Sequence, residues 1–178
     1  MQDDGVREAF ERKARAVSLR PSIGQKTART SVRLKAGLEC AIEEGPWAAV
    51  AGMSESWGGN NAGPSPGFFG RGALGSCLTI GIAMWAARLE IPIDGVEVMV
   101  EADYDSRGEL GVADDIPPGY TQVRCITTVT SSASEPDVRR VVEMAEKYSP
   151  YRDVFARAHD IRGELRIVSL LKANERSE

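Results

Sequence analysis

Between Arg71 and Arg88 the chain carries no charge, and residues 66–89 around this run hold five glycines: Gly67, Gly70, Gly72, Gly75 and Gly81. Ser65 followed by Pro66 marks a helix start, with Ser as N-cap and Pro at the first helical position, where its missing N–H leaves nothing unpaired. Ile91-Pro92 stops the chain from continuing as helix, so the sequence predicts one helix from Pro66 to about Leu89. Each glycine costs such a helix about 1 kcal/mol relative to Ala. A helix with so many of them needs another backbone packed very close to it. The uncharged run is too short to span a bilayer comfortably, which makes this the central core helix of a soluble fold and excludes a membrane as partner.

The flanking segments give the rest of the architecture. Val6, Phe10, Ala14 and Val17 recur at helical spacing in residues 3–17 and predict an amphipathic N-terminal helix, an appendage to the domain or a dimer contact. Ala28, Thr30, Val32 and Leu34 then alternate with Arg29, Ser31, Arg33 and Lys35, the period of a half-buried strand. A turn at Gly37 leads to a second strand with Leu38, Cys40 and Ile42 on one face. Gly45-Pro46 turns into a third, Trp47 to Met53, and the three make an antiparallel meander. After the helix, residues 95–104 and 120–130 alternate again. Ser134 and Asp137 form a capping box ahead of a helix with Val138, Val141, Val142, Ala145 and Tyr148 on one stripe. Pro150 starts a short helix through Ala158, and residues 163–171 read as a last strand. The order βββ-α-ββ-α-β is α+β. It divides into an N-terminal helical extension (1–22), one domain (23–172) and a C-terminal tail (173–178).

Composition excludes several classes of function. A net charge of −4 offers no argument for nucleic acid, although residues 1–36 carry about +5 and the remainder about −9. The first residues are acidic and contain no apolar signal region, and three widely spaced cysteines make no disulfide framework. The expected setting is a reducing cytoplasm. No cofactor or metal is expected. The loop at 58–67 lacks the Lys-Ser/Thr of a phosphate cradle, and in Asp103-x-Asp105-x-Arg107 an arginine stands where a calcium ligand belongs. That segment reads as a solvated hairpin turn, and His159, the only histidine, as a surface cap rather than a base. Cys40 and Cys125 lie on apolar strand faces and read as structural. Cys77 reads either as a reactive thiol or as a small core residue.

At GPSPG…GALGSCL (63–78) the sequence resembles the OsmC/Ohr family of thiol-dependent hydroperoxide reductases. The resemblance continues through the Asp-Ser-Arg-Gly turn to SASEPDVRRVVEMAEKYSPY (132–151). It implies an OsmC/Ohr-like fold in which two chains interlock as a homodimer, with the central helices packed together. It also implies that Cys77 is the reactive cysteine. Three departures accompany it. Ser149 stands where the family places a resolving cysteine before proline, Phe68 or Phe69 where it places a glutamate, and Lys35 is the nearest match to its hairpin arginine.

Free thiol is a weak nucleophile near neutral pH, and a nearby cation activates it. Without a resolving thiol at position 149, a Cys77 sulfenic acid must be reduced by an external thiol. Trp57, Phe68, Phe69 and Tyr151 are the candidates for an apolar cleft beside Cys77, suited to an organic hydroperoxide or another apolar ligand. Two functions remain open on the sequence: a one-cysteine peroxidase, and a non-catalytic binding module that keeps the fold.

Overall fold

The computed structural model of the chain describes residues 4–168. Its centre is α2 (Pro66–Leu89), with Ser65 as N-cap and Pro66 in the first turn, as the sequence predicts. The Ser65 side chain makes no capping bond, and the Ser65 carbonyl accepts from Phe68 N–H instead. At the other end Glu90 adopts a left-handed conformation (φ +56°). Its N–H and that of Ile91 return to the last-turn carbonyls before Pro92 forbids further helix.

Around α2 stand α1 (Asp4–Leu19), α4 (Glu135–Lys147), α5 (Pro150–Ala156) and a two-stranded antiparallel sheet of β4 (Gly95–Tyr104) and β5 (Tyr120–Thr130). The core is formed by Ile82, Trp85 and Ala86 of α2 with Val141 and Ala145 of α4. Two of the glycines explain how closely these elements meet. A Cβ on Gly81 would lie 3.6 Å from the Ala145 Cβ, and one on Gly75 would lie 3.3 Å from Val100 Cγ2 and 3.7 Å from the Val98 carbonyl. Gly70 and Gly72 face open space within the chain. The close backbone approach expected from the sequence is therefore made, at Gly75 and Gly81, by β4 and α4 of the same chain.

α1 joins this core. Phe10 meets Trp85 edge-on at 5.3 Å, Arg88 lies 4.8 Å from the centroids of both rings, and Arg7 pairs with Glu90. Trp85 in turn stacks on Tyr148 at 5.2 Å. In α4 the predicted capping box is present: Ser134 Oγ accepts from Asp137 N–H at 3.4 Å and donates to its carboxylate at 2.6 Å.

The described strands form two sheets rather than one. β1 (Ser31–Leu34), β2 (Cys40–Glu44) and β3 (Trp47–Ala51) make the predicted antiparallel meander, with Val32 opposite Ile42 and Leu34 opposite Cys40. β1 is shorter than its alternating pattern because its partner β2 ends at Glu44, where Gly45 turns the chain at φ +56°. The period-two pattern gives this sheet one apolar face, formed by Val32, Leu34, Cys40, Ile42, Trp47 and alanines. Among the described residues no helix and neither strand of the second sheet packs closely on the meander. Val32, Leu34 and Trp47 are consequently 59%, 67% and 78% exposed.

The turn before β5 contains a short helix, α3 (Ser106–Glu109). Asp105 caps it, accepting from Arg107 N–H and pairing with the Arg107 guanidinium, which holds its carboxyl at a pKa of about 2. Asp103 pairs with Arg124, so both aspartates of the calcium-like motif are committed to arginines. At the C-terminus the predicted last strand does not form within residues 163–168, which have no regular structure and no strand beside them. Residues 169–171 of that segment and the tail 173–178 lie outside the described residues.

The packing yields a stability prediction. Ile82 is 1% exposed, so Ile82→Ala is expected to cost about 2–5 kcal/mol. Gly81→Ala meets only ordinary contact with Ala145 and gains helix propensity, so it is expected to be neutral or stabilising by up to about 1 kcal/mol. Urea denaturation of the two variants checks both signs.

Candidate functional site

Cys77 sits on α2 one turn before Gly81, on the side where α4 makes its closest approach. α4 ends at Lys147, and the chain bends through Tyr148 into Ser149, the N-cap of α5. This bend brings Ser149 Oγ to 3.3 Å from Cys77 Sγ, across 72 residues of sequence. Ser149 is 5% exposed, the only buried polar residue among those described. Its oxygen accepts from Arg152 N–H at 3.2 Å. A hydroxyl has one proton and two lone pairs. With a lone pair committed to the α5 cap, the proton is free to be donated to the sulfur. The arrangement can therefore hydrogen-bond a Cys77 thiolate and stabilise it.

A groove of about 530 Å³ is lined by Leu74 and Leu78 of α2, neighbours of Cys77 in sequence, with Tyr120, Cys125, Arg152 and Phe155; neither Cys77 nor Ser149 is among its lining residues. Tyr120 and Phe155 stack at 6.5 Å with ring planes 11° apart. Arg152 places a cation at the groove and lies 3.9 Å from Glu146. The sequence reasoning missed Arg152, Tyr120 and Phe155. The available signal was local: once Ser149-Pro150 is read as a helix start, Arg152 falls one turn later, on the side of the cap.

The other predicted site residues are not gathered at Cys77. Lys35 closes the β1–β2 turn, where its N–H donates to the Glu39 carbonyl at 2.8 Å; its side chain is exposed, and the hairpin does not pack on α2. Phe68 and Phe69 meet edge-on at 5.6 Å in the first turn of α2, and Phe68 is exposed. Tyr151 lies two residues beyond Ser149 and is exposed. Trp57 ends a short 3-10 turn and lines a different cavity, near the start of α2. None of these four aromatic residues lines the groove at Leu74 and Leu78. His159 is exposed, with Nδ1 3.0 Å from the Arg157 carbonyl. Cys40 lies within the meander, between Leu34 and Ala51 in the sheet register.

The profile of the family described as OsmC-like protein matches residues 58–163. Among solved structures, the chain is similar to an OsmC-like protein from Mycoplasma pneumoniae (TM-score 0.63, 13% identity, covering 74% of this chain and 88% of that one). It is also similar to an organic hydroperoxide resistance protein OsmC from Legionella pneumophila (TM-score 0.55, 16% identity, 74% and 92%). A third similar structure is an organic hydroperoxide resistance protein from Vibrio cholerae with captopril bound in one of its active sites (TM-score 0.51, 15% identity, 74% and 87%). No curated protein sequence matches the chain. At these identities the structures establish a shared fold.

The groove also sets the behaviour of its own cysteine. Although Cys125 as a residue is exposed, partial burial of its thiol raises its pKa, Glu146 adds to the rise and Arg152 opposes it. Only the thiolate reacts with alkylating agents, so a raised pKa slows labelling at a given pH. At about pH 8, below the ordinary thiol pKa of about 8.5, Cys125 of Glu146→Gln is expected to label faster than wild type and that of Arg152→Gln slower. Peptide-resolved iodoacetamide kinetics read this order directly.

Proposed function

Because this chain belongs to the OsmC-like protein family, we propose that it is a redox protein that reduces organic hydroperoxides with Cys77 as its single reactive thiol. The observation that carries this reading is the 3.3 Å contact between Cys77 Sγ and the buried Ser149 hydroxyl. The Cys77 thiolate attacks the distal peroxide oxygen, forming an S–O bond as the O–O bond breaks. Cys77 becomes the sulfenic acid, and the departing alkoxide takes a proton to give the alcohol. An external small thiol then attacks the sulfenic sulfur, releasing water and leaving a mixed disulfide. A second thiol restores Cys77 and leaves as the small-molecule disulfide. Ser149 hydrogen-bonds the thiolate and then the sulfenate, but it supplies no electrons, which is why the reductant must come from outside. Such a cycle suits a reducing cytoplasm, where three free cysteines persist.

The same reading includes a homodimer. Among the described residues no helix and neither β4 nor β5 packs closely on the apolar face of the meander β1–β3, and Gly70 and Gly72 of α2 each face open space. A second chain seated there would cover both and bring its hairpin, with Lys35, toward the helix of the first. Sedimentation is expected to give a dimer of the 19.2 kDa chain at micromolar concentration, weakened by Trp47→Glu. A single monomeric species would refute the assembly.

The absence of the family glutamate at Phe68 or Phe69 favours the second reading, a binding module without peroxidase activity. Kinetics with cumene hydroperoxide and dithiothreitol separate the two. Cys77→Ser is expected to abolish thiol-dependent consumption, and Ser149→Ala to slow it by about tenfold, the worth of one hydrogen bond to a charged group. Ser149→Cys is expected to form a 77–149 disulfide on oxidation, detectable by peptide mapping. If wild type consumes no more hydroperoxide than Cys77→Ser, the groove binds its ligand without reducing it.

A further inference from the structure

A cavity of about 600 Å³ lies at the start of α2, separated from the Cys125 groove by Tyr120, which lines both. Its size is in the range that accepts a small organic ligand. Arg71, half-buried, projects into it from the second turn of the helix. The guanidinium is held in place: Nη1 donates to the Tyr120 hydroxyl at 3.0 Å, and that hydroxyl donates to the Gly67 carbonyl at 3.3 Å. Gly67 makes room for this arrangement, because a Cβ there would lie 3.1 Å from Arg71 Nη1 and 3.2 Å from the Tyr120 oxygen. Among the described residues no carboxylate lies within 4.0 Å of Arg71, whereas Arg107, Arg124, Arg139 and Arg157 are each paired.

A guanidinium oriented by hydrogen bonds, lining a concavity and with no counter-ion among the described residues, is a preorganised receptor for an anion. Its planar fork matches a carboxylate. The walls add the second half of the specificity. Trp57 and Tyr104 line the cavity with exposed rings, 43% and 61% accessible, and Tyr120 closes one side. Glu109 also lines it and disfavours a second negative charge on the ligand. We propose that this cavity binds a small aromatic monocarboxylate, with the carboxylate on Arg71 and the ring between Trp57 and Tyr104. The site is distinct from Cys77 and does not rest on its redox role.

Isothermal titration of the full chain with phenylacetate, its uncharged analogue phenylacetamide, and inorganic phosphate tests the assignment. Phenylacetate is expected to bind, with phenylacetamide and phosphate each at least about tenfold weaker, since one lacks the charge and the other the ring. Arg71→Gln is expected to weaken phenylacetate by about tenfold or more and leave phenylacetamide unchanged, and Glu109→Gln to tighten phenylacetate. Equal binding of acid and amide, phosphate binding as tight as phenylacetate, or no binding of phenylacetate at millimolar concentration would each overturn the proposal. Should Arg71→Gln fail to fold, Trp57→Ala takes its place. It is expected to weaken phenylacetate while sparing phosphate, and unchanged phenylacetate binding would refute the aromatic half.

Discussion

The contact on which the rest of this molecule depends is the approach of α4 to α2 at Gly81. Small residues on both helices allow it: a Cβ at position 81 would lie at ordinary van der Waals distance, 3.6 Å, from the Ala145 Cβ. That approach buries Val141, Ile82 and Trp85 together and sets the height at which α4 ends. Because α4 ends there, the chain turns at Tyr148 and presents Ser149 to Cys77 one turn along α2. Core packing and the candidate site are thus the same piece of geometry. A change that moves α4 relative to α2 changes the thiol–hydroxyl distance as well.

A pairing of sulfur with hydroxyl, in place of two thiols, separates the two jobs that a resolving cysteine combines. A thiol at position 149 could both stabilise the sulfur at 77 and take over its oxidation by forming a disulfide. A hydroxyl there can only stabilise it. The burial of Ser149 strengthens that one remaining role, because the hydrogen bond forms away from competing water. Beside the pair, Arg152 reaches the groove from the very helix that Ser149 caps, so a cation and a hydroxyl arrive on one short element. The cation assigned from the sequence, Lys35, lies instead on a hairpin with no packing against this helix in its own chain.

Tyr120 connects the start of α2 to its middle. Its ring stacks on Phe155 in the Cys125 groove, and its hydroxyl holds Arg71 and the Gly67 carbonyl at the second cavity. One residue therefore forms the wall between two different chemical environments. In the groove, partial burial and then Glu146 raise the pKa of the Cys125 thiol, whereas the cavity at the start of α2 holds the Arg71 guanidinium.

The amino-acid sequence by itself determined most of the elements and their order, though the strand it suggests at the C-terminus does not form within residues 163–168 and α3 was not legible in it. Periods of two and of helical spacing, the Ser-Pro start and Ile-Pro stop of α2, and the Ser134–Asp137 capping box depend on neighbours a few residues away, and local rules describe such neighbours well. The motif around Cys77 made the family legible for the same reason, since its residues are contiguous. What joins Cys77 to Ser149, Arg71 to Tyr120, or Glu146 and Arg152 to Cys125 depends on elements tens of residues apart, and only packing decides those distances. Position 149 shows the limit most clearly. From the sequence it was the place of a missing thiol; folded, it is a buried hydroxyl 3.3 Å from the sulfur. The aromatic residues expected at the cleft are dispersed because hydrophobicity fixes that a side chain is covered, not by what. The partner of the apolar face of β1–β3 is undetermined by the chain's own packing for the same reason: the alternating pattern specifies the face, and only a surface that fits can cover it.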